Sequence, residues 1–116
     1  MSRLKLTLAC GDYDFLRPLI NGELQPQGID LNVLTMASPE RHGRMLRHEE
    51  FDVCELSLIA YLVSHDRGCN YTAIPVFPHR RFRHSYMVKR TGCGIDKPSD
   101  LNGKRVALDT LQNSAG

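Results

Sequence analysis

The chain contains no apolar run approaching the roughly 18 residues that a membrane-spanning helix requires, so no segment reads as a membrane span. Its opening, MSRLKLTLACG, places basic residues before a short apolar stretch ending in cysteine, the outline of a lipoprotein signal. LTLAC is shorter than the about 7 to 15 residues of a signal core, and charged Lys5 stands directly before it. The cytoplasm is the expected compartment. Excess charge is also lacking. Fifteen Lys and Arg against 13 Asp and Glu leave a net charge of +2, too mild for a dedicated nucleic-acid binder. Any anion recognition must therefore be local. The four cysteines, Cys10, Cys54, Cys69 and Cys93, form no CxxC pair, which removes a zinc ribbon and a thioredoxin-like motif. An even count permits disulfides. Cys10 and Cys54, however, lie in the apolar runs LTLAC and FDVCEL, where reduced cysteines serve as small core residues in a reducing compartment.

What is present fits a globular chain. With 41% hydrophobic and 24% charged residues, 116 positions provide for one small core, hence one domain or part of one. Residues 4–10 alternate around β-prone side chains and stop at Gly11-Asp12, predicting a strand and a turn. A helix is expected next, with Asp14 as cap, Pro18 in its first turn, and Leu16, Leu19, Ile20 and Leu24 on one face. Pro26-Gln27-Gly28 breaks it. Residues 29–36 predict a second strand. Ser38 is the expected N-cap, Pro39 the first helical residue, and Glu40 an acid at the positive end of a helix running to about residue 50. Residues 51–56 predict a third strand, and Ser57 caps the helix LIAYLVSHDRG, which stops at Gly68. Further strands are expected over 73–78, 85–89 and 105–109, with a short capped turn at Ser99-Asp100-Leu101.

Strands alternating with helices predict an α/β fold with a mainly parallel sheet, because parallel neighbours need helical crossovers. Ligands of such sheets bind beyond the carboxyl ends of the strands. Three segments qualify: Cys10-Gly11-Asp12, Glu55-Leu56-Ser57, and FPHRRFRHS at 77–85, which packs three arginines and two histidines into nine positions. If 80–84 is extended, Arg80, Phe82 and His84 share one face, with Arg81 and Arg83 on the other. An arginine fork matches a carboxylate, and Phe82 offers a stacking surface. A sheet edge blunted by charge accounts for the same run. Asp12 and Asp14 also fit as turn and cap residues, and Ser57 as a plain N-cap. Glu55, an acid inside an apolar run, needs a partner or a job. His42 and His48, six apart on a helix, do not share a face, so no metal site is expected there. Met36, Met45 and Met87 read as core filler. Arg80, Arg81 and Arg83 interleaved with Phe82 imitate a nucleic-acid stacking platform, but one short patch on a nearly neutral chain is weak support for it. The chain ends at TLQNSAG, one strand into a new α/β unit, and reads as the start of a longer protein.

These segments together resemble the type II periplasmic binding protein fold, in which two α/β lobes flank a cleft. More narrowly, LTLACGDYD, QPQGIDLNVL, MLRHEEFDVCELSLIAY, AIPVFPHRRFRHS and DLNGKRVALD, spread over residues 4–109, resemble the 4,5-dihydroxyphthalate decarboxylase family. The resemblance implies a considerably longer protein. Residues 1–88 would form the first lobe, 89–104 a hinge, and 105–116 the start of the second lobe. It also implies non-oxidative decarboxylation of an aromatic dicarboxylate. From the residues themselves no cofactor and no nucleic-acid or membrane partner are expected, and a homo-oligomer is compatible with the reading. Arg80, Phe82, Arg83, Ser57, Gly11 and Ser85 are the expected substrate-binding residues. A general acid must protonate the ring carbon as carbon dioxide leaves, and His84, Asp12 and Glu55 are the candidates. This stretch alone is not expected to turn over substrate. The alternative from another class is a solute-binding protein of an ABC-type uptake system, which would hold a small anion in the same cleft; an exported receptor needs a signal sequence. A third reading is a fragment that folds poorly and has no activity.

Overall fold

A computed structural model describes residues 2–80 and 82–107, and the chain divides into two compact units, Met1–Ala73 and Ile74–Gly116. The first unit is α/β. Strands β1 (Leu4–Cys10), β2 (Ile29–Thr35) and β3 (Val53–Cys54) form a parallel sheet in the order β2-β1-β3. β1 and β2 pair along their full length, from Leu4 opposite Ile29 to Cys10 opposite Thr35. β3 meets β1 only at Leu8 opposite Val53 and Ala9 opposite Cys54. The expected third strand over 51–56 is therefore shorter. Asp52 lies just outside it and uses its side chain, with Oδ2 accepting the Thr7 N–H at 2.8 Å.

The crossovers carry α1 (Arg17–Ile20) and α2 (Ser38–His48), and α3 (Leu58–Asp66) follows β3. Ala9, Met45 and Phe51 form the core, with Leu34, Met36, Cys54, Leu56 and Tyr71 packed against them. Removing the Phe51 ring would cost about 3 to 5 kcal/mol, the usual range for an aromatic deleted from a core.

Several local expectations change. The helix after β1 is a 3-10 turn, Asp14–Leu16, followed by the four residues of α1. Tyr13, not Asp14, stands at the N-cap position of the 3-10 turn, and Gly22, at φ 75°, turns the chain away after Ile20. At α2 the N-cap position belongs to Ala37, with Ser38 already helical and its Oγ accepting from Arg41. Ser57 takes the N-cap position of α3 as expected, its carbonyl accepting the Tyr61 N–H at 2.9 Å.

The expected strands over 73–78, at the junction of the two units, and over 85–89, in the second, are not formed. Pro75 and Pro78 remove two ladder donors, and the Val76 N–H closes a tight turn on the Ile74 carbonyl at 2.7 Å. Residues 85 and 86 are taken by a 3-10 turn, Arg83–Tyr86, so 80–84 is not one extended segment. The short turn near residue 100 is present as Pro98–Leu101, where Asp100 Oδ2 accepts the N–H groups of Asp96 and Lys97. Lys89 Nζ binds Asp96 at 2.8 Å and the Ile95 carbonyl, closing the loop before it. Of the strand expected over 105–109, residues 105–107 are not in a strand and 108–109 lie outside the described residues.

Candidate active site

The order β2-β1-β3 makes the chain step to opposite sides of β1 in its first two crossovers. At such a switch point the carboxyl ends of adjacent strands open a crevice. Here those carboxyl ends are Cys10 of β1 and Cys54 of β3, and the residues that follow the two strands are in contact. Glu55 is central. Its Oε2 accepts the Gly11 N–H at 2.9 Å and the Arg41 guanidinium at 2.9 Å, and its Oε1 accepts the Tyr13 hydroxyl at 2.7 Å. Both carboxylate oxygens are thus held by donors. Only 9% of the side chain is exposed.

Arg41 explains why an acid can lie so deep. Its side chain is 1% exposed and enters from α2, where it shares the buried face with Met45 one turn later. Nε donates to the Glu55 carbonyl at 2.9 Å, Nη1 to the Met36 carbonyl at 2.6 Å, and Nη2 to Ser38 Oγ at 3.3 Å as well as to the carboxylate. The planar fork so ties the ends of β2 and β3 to the first turn of α2. An isolated buried charge would be very costly, and this pairing with its hydrogen bonds offsets much of that cost.

Tyr13 lies over Gly11, where a Cβ would come within 2.6 Å of the phenol ring, so only glycine fits there with Tyr13 in this position. Burial first, then the hydrogen bond to the Glu55 carboxylate, pushes the Tyr13 hydroxyl up to about 12. The Tyr13 and Phe15 rings stack with centroids 5.5 Å apart and planes 3° from parallel. Burial likewise raises the Cys10 thiol, and that of Cys54 to about 11, in keeping with inert core cysteines. His42 is pushed down by burial and by neighbouring Arg41, which favours its neutral form.

Of the residues expected from sequence, Gly11 and Glu55 are in direct contact. Asp12 is instead exposed and pairs with Arg17 at 3.1 Å. Ser57 begins α3 two residues beyond Glu55. Arg80, Phe82, Arg83, His84 and Ser85 belong to the second unit, and all five are exposed there. Arg80 lies over the Phe77 ring at 5.8 Å, the Phe82 and His84 rings are 4.7 Å apart at 37°, and Ser85 Oγ donates to the Phe82 carbonyl at 3.0 Å. Arg81 lies outside the described residues. Among the described residues no three His, Cys, Asp or Glu side chains gather as a metal-binding group, and no helix is long and apolar enough to cross a membrane.

Sequence reasoning missed Arg41 and Tyr13. The signal for Arg41 is its spacing of four from Met45 on one helix, a polar residue in line with an apolar one on the buried face. Tyr13 carried no comparable signal, since its role depends on the strand order.

Two curated relatives bear on this arrangement. The chain is 43% identical over 116 residues to a 4,5-dihydroxyphthalate decarboxylase of Comamonas testosteroni, and 40% identical over 116 residues to one of Pseudomonas putida. In sequence, the chain is similar to 4,5-dihydroxyphthalate decarboxylases. The match covers 99% of the chain in both cases, but 35% and 45% of the two relatives. No family model matches the chain. The three-stranded parallel sheet is compatible with part of a periplasmic-binding-protein-like lobe.

Proposed function

We propose that the protein carrying this chain is a cytoplasmic carboxy-lyase of aromatic-compound breakdown, releasing one carboxylate of 4,5-dihydroxyphthalate or a close analogue as carbon dioxide. The observation that carries this reading is the likeness to two decarboxylases of that name along 99% of the chain. The crevice at the β1/β3 switch point supports it, being where an α/β sheet of this order takes a small ligand. In this reading 1–88 belongs to the first lobe and 89–104 leads into the second.

The reaction needs three things from the protein. The substrate carboxylates require cations, and Arg80 and Arg83 are exposed forks suited to them. The ring requires a flat apolar neighbour, which Phe82 provides beside His84. As the bond between ring and carboxylate breaks, its electron pair returns to the ring carbon. That carbon must then take a proton. His84 is assigned as the proton donor. Glu55, held by Gly11, Arg41 and Tyr13, acts as a fixed acceptor that orders the crevice, while Asp12 is a second candidate acid once separated from Arg17. Ser57 and Ser85 contribute hydroxyls at the edges of their turns.

The test is carbon dioxide release from 4,5-dihydroxyphthalate by the full-length protein and by His84→Ala, Asp12→Asn and Glu55→Gln. Loss of a general acid costs about 100- to 10,000-fold in rate. His84→Ala is expected within that range. Full activity in all three variants would remove the assignment, and tight binding without release would replace the enzyme by a receptor.

A further inference from the structure

We infer that Tyr13 and Phe15 form a stacking platform for the aromatic ring of the substrate, held in place by the buried Glu55–Arg41 pair. The inference rests on the decarboxylase reading for the substrate class, and adds two residues that the sequence did not single out.

An exposed phenylalanine alone carries little information, because surfaces are rich in apolar atoms. Phe15 differs in what lies behind it. It is 62% exposed, yet its ring stacks within 3° of parallel on Tyr13, an offset arrangement that leaves the far face of the pair open. Tyr13 in turn is fixed from two further directions, by its hydroxyl bond to Glu55 at 2.7 Å and by its seat over the bare backbone of Gly11. Glu55 is fixed by Arg41, which is 1% exposed. A surface aromatic is therefore linked through three residues to the buried end of the sheet. The stack on Tyr13 restrains the Phe15 ring before a ligand arrives, which lowers the entropy that stacking costs.

The position suits the same purpose. The turn that bears both rings leaves the carboxyl end of β1, at the switch point. The ligand chemistry follows from what the turn contains. A flat apolar face selects a flat ring. Arg17 lies two residues beyond Phe15, and its pair with Asp12 is half exposed on both sides, at 51% and 55%, so an incoming carboxylate can take the guanidinium over at small cost. Arg41 offsets the Glu55 charge that would otherwise repel an anion. A planar aromatic carboxylate matches these features better than a saturated one.

The experiment is calorimetric titration of the full-length protein with 4,5-dihydroxyphthalate and with the saturated cyclohexane-1,2-dicarboxylate, repeated on Phe15→Leu and Phe15→Tyr. The wild type should prefer the aromatic compound. Phe15→Leu should bind it roughly two- to tenfold more weakly while leaving the saturated compound unchanged, and Phe15→Tyr should retain affinity. Because Phe15 is exposed, neither change should disturb folding. Equal affinity of the wild type for both compounds, or no loss in Phe15→Leu, overturns the platform. The titrations, wild type at position 15 included, are made in the His84→Ala background, whose turnover is expected to be about 100- to 10,000-fold slower, so that binding is read apart from turnover. A wild type that prefers the aromatic compound but releases no carbon dioxide would sink the decarboxylase reading and leave the platform standing; normal turnover with an unaffected Phe15→Leu would do the reverse.

Discussion

Replacing Arg41 by methionine removes the guanidinium but keeps much of the apolar stem. Four contacts disappear with it: the Glu55 carboxylate at 2.9 Å, the Glu55 carbonyl at 2.9 Å, the Met36 carbonyl at 2.6 Å and Ser38 Oγ at 3.3 Å. The dominant loss is not the contacts themselves. It is the buried carboxylate left behind without its counter-charge, still accepting from Gly11 and Tyr13. Breaking a buried pair from one side costs about 3 to 5 kcal/mol. Domains are stable by about 5 to 15 kcal/mol, so the variant keeps a fold but loses a large share of its margin. With a urea slope of about 1 to 3 kcal/mol per molar, the midpoint should fall by roughly 1 to 5 M. Far-ultraviolet circular dichroism during urea titration reads this directly, and is suited to a chain without tryptophan. The double change Arg41→Met with Glu55→Leu supplies the internal check. Removing both charges should recover part of the loss, since an apolar pair of similar volume avoids the stranded acid. A midpoint in Arg41→Met within experimental error of the wild type, or a double variant weaker than the sum of the singles, would refute this account of the pair.

Three further outcomes are expected. Tyr13 has its folded-state hydroxyl raised to about 12 from the usual 10.0, so its contribution to stability is complete below about pH 10 and is lost as the pH rises through about 12. An absorbance titration of tyrosinate should therefore contain a late step that is missing in Tyr13→Phe, and an unchanged profile in that variant would count against the hydrogen bond. Gly11→Ala places a Cβ 2.6 Å from the Tyr13 ring and should cost about 1 to 3 kcal/mol of overpacking in a thermal melt, a cost that Tyr13→Ala relieves. Cys54, raised to about 11 by burial, should resist thiol reagents at neutral pH in the native protein and react once the chain is unfolded; rapid native labelling would contradict the buried reading.

The legible parts of the chain were those whose local signals agreed with long-range pairing. β1 and β2 alternate and then pair with each other over seven residues each, so pattern and partner coincide. α2 and α3 start within a residue of their expected caps because proline and serine act locally. The segment after Ala73 went the other way. Ile74, Val76 and Phe77 have β-prone side chains, but proline at 75 and 78 denies them a ladder, and each is about three-fifths exposed. The site divides along the same line. Glu55 was recognisable as an acid out of place in an apolar run. That its counter-charge comes from α2 and its hydroxyl donor from the turn after β1 depends on the order β2-β1-β3, which no local pattern encodes.

The most direct test of the central claim is the fate of 4,5-dihydroxyphthalate incubated with the full-length protein in heavy water. The account predicts carbon dioxide and a dihydroxybenzoate in equal amounts, with one deuterium on the ring carbon that lost its carboxylate. Recovery of unchanged substrate, bound or unbound, with no carbon dioxide formed would contradict it.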